Sequence, residues 1–298
     1  MTTYDAKASC FGKLPFQLMD SLQLESSVGS NYWADAVLVP SSNEALATID
    51  CVSLDDENLA LSVQLAILHS MNDIFAANGI PTSFCISLIL SSSTGADLLS
   101  QLNQTIVDCA KLIDCSVGKR HTVRAEGPAS ATVSVIGKVA NASSNLEEGG
   151  FVVLVGGSLG ALDSTNEVTA LHEVQARQYA AREIPGPKKD VSGDGLVGTL
   201  YQLMLRHSVS IEIASRSIPR FASSGTIASN ELHSRNYFDY SSKVLGELSP
   251  NCSATLFAPR LFGPIVCLTA GPLEFPDMGI TTIGSFRRGK DNHSLRLS

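Results

Sequence analysis

The sequence predicts a two-domain α+β protein, in which an N-terminal α/β sandwich precedes a C-terminal α+β domain of similar size. The chain has 298 residues and is 44% hydrophobic, which suits two domains with substantial cores. In the first half, apolar runs of strand length alternate with apolar stripes at helical spacing. A polar, acidic break over 142–150 separates two halves of similar plan. The predicted units are an arm at 1–30 and domains at 31–148 and 149–298.

The first half begins with a small, polar segment, which is expected to form a mobile arm. Two short strands follow, at 37–39 and 45–49, and are predicted to pair as a hairpin. Asp35 and Asp50 border these strands, so the hairpin carries carboxylates near its ends.

A long helix over 58–77 is the next predicted element, because apolar residues recur every three or four positions and Asn78-Gly79 can supply a left-handed cap. Further predicted elements of the first half are a strand at 83–90, a helix through 98–113 and a strand at 131–136. The second half is predicted to contain strands at 151–155, 209–213, 254–257 and 265–268, and a helical stretch around 168–174.

The segment 190–200 joins a carboxylate to a glycine-rich turn and an amphipathic helix. Glycines allow the backbone to approach a ligand closely, and the N–H groups of a first helical turn can face an anion. Asp190 or Asp194 could hold a divalent cation beside that anion. A plain loop-to-helix junction is the alternative.

Composition limits the class of protein. Seven cysteines without a CxxC pair argue against a disulfide framework or a zinc site and favour a reducing cytoplasm. No signal peptide or spanning segment is expected. The net charge of −8 argues against broad binding of nucleic acid or anionic membranes. The basic pairs Lys188-Lys189 and Arg287-Arg288 are expected on the solvated surface.

The stretches 9–15, 48–50, 72–81 and 190–200, taken in this order, resemble one ATP-dependent superfamily, which includes aminoimidazole ribonucleotide synthetase, thiamine-monophosphate kinase and hydrogenase maturation protein E. The segment 190–200 is similar to the motif Asp-Val-Thr-Gly-Phe-Gly-Leu-Leu-Gly-His-Leu of selenophosphate synthetase (selenide, water dikinase). Residues 72–81 resemble the end of that family's first-domain helix, and 48–50 resemble its Thr-Thr-Asp. Residues 9–15 resemble its Gly-Cys-Gly-Cys-Lys loop, so the chain is identified as most similar to selenophosphate synthetase.

This resemblance implies a homodimer in which two first-domain sheets form a barrel, with ATP between the halves. The implied reaction converts ATP, selenide and water to selenophosphate, AMP and phosphate. Cys10 would handle the selenium species, and Lys13 would reach the phosphates or the selenide. A lysine three residues from a cysteine also raises the thiolate fraction by itself, whereas an ordinary exposed cysteine is the alternative.

The resemblance also implies the remaining site residues. Asp35, Asp50 and Asp190 match the family's Mg²⁺ carboxylates. The residues matched to nucleotide contacts are Lys13, Thr48, Asp73 and Gly118. Asp73 lies near the C-terminal end of its helix, where the macrodipole disfavours an anion, so it is interpreted as a ligand or a salt-bridge partner.

The chain departs from the family pattern at several positions. Ala34 stands where a paired aspartate is usual, and Lys119-Arg120 make the matched phosphate turn bulkier and more basic. The other departures are Gly12 for a second cysteine, His69 for an asparagine, and Ala258 for an aspartate. These departures bear on the substrate that the resemblance implies more than on the fold that it implies.

Three functions remain open from the sequence. One is a selenophosphate synthetase-like enzyme with in-line attack on the γ-phosphate. Another is a different ATP-dependent enzyme of the superfamily that acts on another small acceptor, and the third is a non-catalytic paralogue that keeps the dimer. Replacing Cys10 by serine discriminates between the first two, because only the first needs the thiol.

Overall fold

The computed structural model describes residues 35–39, 44–141, 146–156, 167–193, 195–219, 244–245, 262–289 and 294–297. The helices within these ranges are α1 (Leu59–Ala76), α2 (Ala96–Ile113), α3 (Glu167–Glu183) and α4 (Gly195–His207). The strands of the first half are β1 (Val37–Leu38), β2 (Ala45–Ser53), β3 (Gly79–Ser91), β4 (Ser116–Ala125) and β5 (Ser130–Val139). The strands of the second half are β6 (Gly149–Val155), β7 (Lys188–Asp190), β8 (Val209–Ile213), β9 (Val244–Leu245), β10 (Ile265–Thr269), β11 (Ile280–Arg288) and β12 (Leu295–Leu297).

The first half forms a five-stranded mixed sheet in the order β1-β2-β5-β3-β4. The predicted hairpin is present, since β1 pairs antiparallel with β2 through Val37 and Ala47. Helix α2 connects β3 to β4, and these two strands are parallel, as expected when a helix crosses over between them. Helices α1 and α2 therefore cover one face of this sheet.

The other face of this first sheet exposes apolar side chains. Ile49 is 68% exposed, and Ile136 and Ile89 on neighbouring strands are 48% and 43% exposed. Val123 on β4 pairs with Ile89 and is also exposed. An apolar face of this kind is typical of an interaction surface.

Helix α1 is the central element of the first half. Its cap agrees with the prediction, because Asn78 has a φ of +60° and its N–H donates to the Phe75 carbonyl. By length and composition the segment 56–76 could cross a membrane, but 83% of that stretch is buried inside the protein. Its apolar character is therefore explained by its position in the core.

The second half forms a seven-stranded sheet in the order β7-β10-β6-β11-β8-β12-β9. Adjacent residues of β6 pack on opposite faces of this sheet, as the strand period of two requires. Val153 and Val155 belong to a core that includes α1 and α3, whereas Val152 and Leu154 belong to a second core under α4. One continuous core thus joins the two halves across the predicted boundary at 148.

The described residues contain several strands that the sequence analysis does not predict, namely β4, β7, β9, β11 and β12. Strand β4 occupies 116–125, where we expected a phosphate-binding turn, and β7 occupies the three residues that end at Asp190. The predicted arm at 1–30 and the predicted strand at 254–257 lie outside the described residues. The other predicted strands and helices of the first half are confirmed, with small changes at their ends.

Candidate metal and nucleotide site

Three aspartates from separate elements meet between the two halves of the molecule. Asp35 precedes β1, Asp73 lies on α1 and Asp190 ends β7. One carboxylate oxygen from each lies within 4.8 Å of the other two. We call these three residues the carboxylate cluster.

The position of Asp73 follows from the way α1 packs on β2. Residues 48 and 50 lie on the same face of the strand, whereas residues 69 and 73 lie one above the other on the helix. The Thr48 hydroxyl donates to Asp73 Oδ2 at 2.8 Å, and His69 Nε2 lies 3.8 Å from Asp50 Oδ1. The strand period and the helix period thus produce two adjacent polar pairs.

Like charges crowd these side chains. Burial raises the pKa of the Asp73 carboxyl well above its usual value, and the charges of Asp50, Asp190 and Asp35 raise it further. The hydrogen bond from Thr48 acts in the opposite direction but is a smaller effect. The carboxylates of this site therefore repel one another.

Three buried polar atoms around this site lack a hydrogen-bond partner among the described residues: Asp190 Oδ2, Asp50 Oδ2 and His69 Nδ1. Asp190 is only 2% exposed, so its second oxygen has little access to water. A buried carboxylate oxygen without a partner is costly, and such an atom calls for a physical explanation. A bound cation would provide that explanation.

Lys189 brings a positive charge into the carboxylate cluster. Its ammonium forms an ion pair with Asp35 Oδ1 and lies 3.8 Å from Asp190 Oδ1. Asp35 also accepts a hydrogen bond from the Asp190 backbone N–H at 3.4 Å. Contacts to β7 thus hold Asp35, which lies far away in the sequence.

The predicted corner after Asp190 is a turn followed by α4. Gly195 has a φ of +64°, which favours glycine, and its N–H donates to the Ser192 carbonyl. Thr199 closes the corner from inside the helix, because its hydroxyl donates to the Asp190 carbonyl at 3.0 Å. Asp194, the other predicted carboxylate of this turn, lies outside the described residues.

A buried arginine on α3 ties α1 to the second half beside the cluster. Arg177 is fully buried, and its Nε donates to Asn72 Oδ1 at 2.9 Å. Its other donors reach the carbonyls of Glu173, Gly156 and Gly263. Asn72 Nδ2 also donates to the Gly263 carbonyl, at 3.0 Å. Asn72 is adjacent to Asp73, so this contact fixes the helix at the position where the cluster needs it.

The structure brings together some of the predicted site residues and separates others. Asp35, Asp190, Asp73 and Thr48 are together, with Asp73 in the cluster where we expected Asp50. Asp50 lies beside the cluster and pairs with His69. As metal ligands and nucleotide contacts, these residues stay predictions.

Gly118 lies in β4, three strands from β2, which corresponds to about 14 Å across the sheet. A Cβ at this position would lie 2.8 Å from Cys85 Sγ, so close strand packing explains the glycine. Lys119 and Arg120 are exposed on the same strand. The predicted catalytic pair, Cys10 and Lys13, lies outside the described residues, as do Gly12, Ala34 and Ala258.

The expectation for Lys188-Lys189 is wrong. These lysines are 4% and 7% exposed, because β7 lies between β10 and the first half of the molecule. Lys188 donates to Asn78 Oδ1 and to the Ile184 carbonyl. Burial lowers the pKa of Lys188. Arg287-Arg288, in contrast, are exposed as expected.

No protein-family model and no curated protein matches the sequence. Solved structures do match the fold. Thiamine monophosphate kinase from Aquifex aeolicus is similar over 95% of this chain and 96% of its own, with 18% identity and a TM-score of 0.65. A structure of AaThiL complexed with AMPPCP and TMP has the same identity and TM-score.

The hydrogenase maturation protein HypE is similar as well. In a HypE-HypF complex, the match covers 94% of this chain and 96% of the other, with 14% identity and a TM-score of 0.64. In a complex of HypE with ATP, it covers 86% and 80%, with 14% identity and a TM-score of 0.58. The expectation of an α+β fold is confirmed, whereas the finer likeness to selenophosphate synthetase stays a prediction. The chain therefore has the mixed α+β fold of these thiamine monophosphate kinase and HypE structures.

Proposed function

We propose that this protein is an ATP-using phosphotransferase that binds its nucleotide together with Mg²⁺ at the carboxylate cluster. The observation that carries the proposal is the convergence of three aspartate oxygens within 4.8 Å, one of them from Asp190, whose Oδ2 is buried and lacks a partner among the described residues. Similar structures bind AMPPCP or ATP, which supports the nucleotide.

The residues present fit a hard divalent cation. Mg²⁺ prefers oxygen ligands and is usually held by one or two carboxylates together with phosphate oxygens. A cation at the cluster would also relieve the repulsion that raises the pKa of Asp73. When bound, Mg²⁺ supplies charge neutralisation at the transferred phosphoryl group.

The protein's own side chains have separate tasks in this proposal. Asp35, Asp73 and Asp190 would hold the cation, and Thr48 orients Asp73 by donating to one of its oxygens. The enclosed position of the cluster excludes water from Asp190, so electrostatic interactions there are stronger than at the surface.

Calorimetric titration of ATP, with Mg²⁺ and with EDTA, tests this proposal. We expect Mg²⁺-dependent binding that Asp190→Asn abolishes or weakens by at least about tenfold, because the variant removes a ligand charge. Asp108→Asn, at an exposed position on α2, serves as the matched control and should bind as the unaltered protein does. ATP binding that is indifferent to both Mg²⁺ and Asp190→Asn would contradict the assignment of the site.

For the acceptor, we propose selenide, on the resemblance of residues 9–15 to the selenium-handling loop. Anaerobic turnover followed by phosphorus NMR tests it. Selenide-dependent AMP together with a phosphorus–selenium signal, both lost in Cys10→Ser, is the expected result. Turnover that is independent of selenide and of Cys10 would indicate another small acceptor.

We also propose a homodimer through the exposed face of the first sheet. That face carries Ile49, Ile89, Val123 and Ile136, each at least 42% exposed. Aliphatic side chains on several adjacent strands form a surface that a second copy of the same sheet could cover. Sedimentation equilibrium at micromolar concentration measures the association directly.

A further inference from the structure

Two adjacent lysines on β7 have different tasks. Successive side chains on a strand point to opposite faces. Lys188 donates to Asn78 and to main-chain carbonyls, whereas the ammonium of Lys189 pairs with Asp35. Lys189 is thus directed by the strand period into the carboxylate cluster.

The ammonium of Lys189 contacts two of the carboxylates that a divalent cation would use. It pairs with Asp35 Oδ1, and it lies 3.8 Å from Asp190 Oδ1. Both aspartates belong to the cluster. The lysine amine and a metal ion would therefore compete for the same two carboxylates.

The burial of Lys189 restricts the surroundings in which its ammonium is stable. Lys189 is only 7% exposed, and a buried ammonium is stable only where anions and hydrogen-bond acceptors surround it. Among the described residues, the cluster offers three carboxylates with Asp50 beside it, so the one ammonium of Lys189 leaves negative charge over there. Oδ2 of Asp190, which has no hydrogen-bond partner within the part of the chain that the structure describes, shows where the compensation is incomplete.

We propose that Lys189 is the resident cation of the cluster, which keeps Asp35 and Asp190 together without metal and releases them when a divalent cation enters. The proposal rests on the proposed function. Lys189 then lowers the affinity of the site for a free divalent cation. Once released, its ammonium is available to an anionic group that arrives with the metal, such as a nucleotide phosphate. Metal entry and anion binding are coupled in this way.

Calorimetric titration with Mn²⁺ alone, without nucleotide, tests the competition. We expect Lys189→Met to bind Mn²⁺ about tenfold or more tightly than the unaltered protein, because a positive charge has been removed from the binding position. Lys138→Met, whose side chain is 67% exposed and pairs with Glu44, is the matched control and should leave the affinity unchanged. Equal or weaker Mn²⁺ binding by Lys189→Met would overturn the proposal.

A second measurement needs no variant. Acetylation of lysines in the unaltered protein, followed by mass spectrometry, reports how accessible each amine is. We expect the labelling rate of Lys189 to rise several-fold when Mn²⁺ is added, while that of Lys188 stays low. A Lys189 rate unaffected by bound Mn²⁺ would contradict its release.

The two proposals fail in different ways. If the unaltered protein binds Mn²⁺ and Lys189→Met binds it equally, the resident-cation proposal fails and the metal site stands. If neither protein binds Mn²⁺ alone, the resident-cation proposal fails, whereas the titration of ATP with Mg²⁺ decides separately whether the metal site stands. Binding by the variant alone would support the competition in its strongest form.

Discussion

Replacement of Arg177 by methionine should destabilise the whole molecule. The guanidinium is fully buried and makes four hydrogen bonds, to Asn72 and to three main-chain carbonyls. It also lies 3.6 Å from the Glu173 carboxylate and 3.9 Å from the centre of the Phe262 ring. Burial lowers the pKa of Arg177 to about 10, so it remains charged at neutral pH.

The size of the stability loss follows from the groups that lose their partner when Arg177 is replaced. Methionine fills much of the volume but donates no hydrogen bond, so the four acceptors lose this donor. Glu173, which is 8% exposed, loses its buried cation. Removing one partner of a buried ion pair lowers the free energy of unfolding by about 3–5 kcal/mol. For a chain of 298 residues, that loss corresponds to a fall in melting temperature of roughly 5–8 °C.

Urea unfolding, followed by circular dichroism, measures the free energy of unfolding. Arg182→Met is the matched control, because Arg182 is exposed on the same helix and its replacement should change stability by less than about 0.5 kcal/mol. Adding Glu173→Met to Arg177→Met should cost less than the sum of the two single changes, since the second removes a charge that is already unpaired. A loss for Arg177→Met as small as that of the control would refute this reasoning.

Three further predictions concern other parts of the molecule. Gly156→Ala should cost about 1–3 kcal/mol in urea unfolding, because φ is +75° there and the added Cβ would lie 2.4 Å from Arg177 Nη1. Ile49→Glu should dissociate the proposed dimer in sedimentation experiments while changing monomer stability by less than about 0.5 kcal/mol, since the side chain is 68% exposed; an unchanged dimer would rule out this face. His207→Gln should reduce the loss of stability between pH 6.5 and 4. Burial, with Arg206 and Arg288, lowers the pKa of His207 to about 4, so the unfolded chain takes up a proton first as the pH falls. An equal loss of unfolding free energy between pH 6.5 and 4 in both proteins would contradict this prediction.

Strong periodicity made the first half of the fold predictable. Helix α1 and strand β3 have apolar residues at the spacings that define a buried helix and a buried strand, and Asn78 marks the end of the helix in both sequence and structure. The aspartates of the cluster could be named from motifs. Their convergence could not be derived from spacing, because Asp35, Asp73 and Asp190 come from three distant elements.

Strand β4 and the buried charged side chains escaped prediction for two different physical reasons. Strand β4 is an edge strand with mostly exposed residues, so it lacks the alternation of apolar and polar side chains that marks a half-buried strand. Lys189 and Arg177 are charged residues, for which exposure is the ordinary expectation. Only the packing of the second half against α1 buries them, and no local pattern reports on that packing.

Helix α1 has a consequence for how this molecule can change over evolutionary time. Asn72 and Asp73 are neighbours in the sequence, but about 100° of rotation separates them around the helix. One is bonded to Arg177 of the second half, and the other faces the carboxylate of Asp190. Recombination that exchanged one half of the chain for that of a relative would break both relationships at once. The two halves are therefore expected to evolve as one unit, although each half has a sheet of its own.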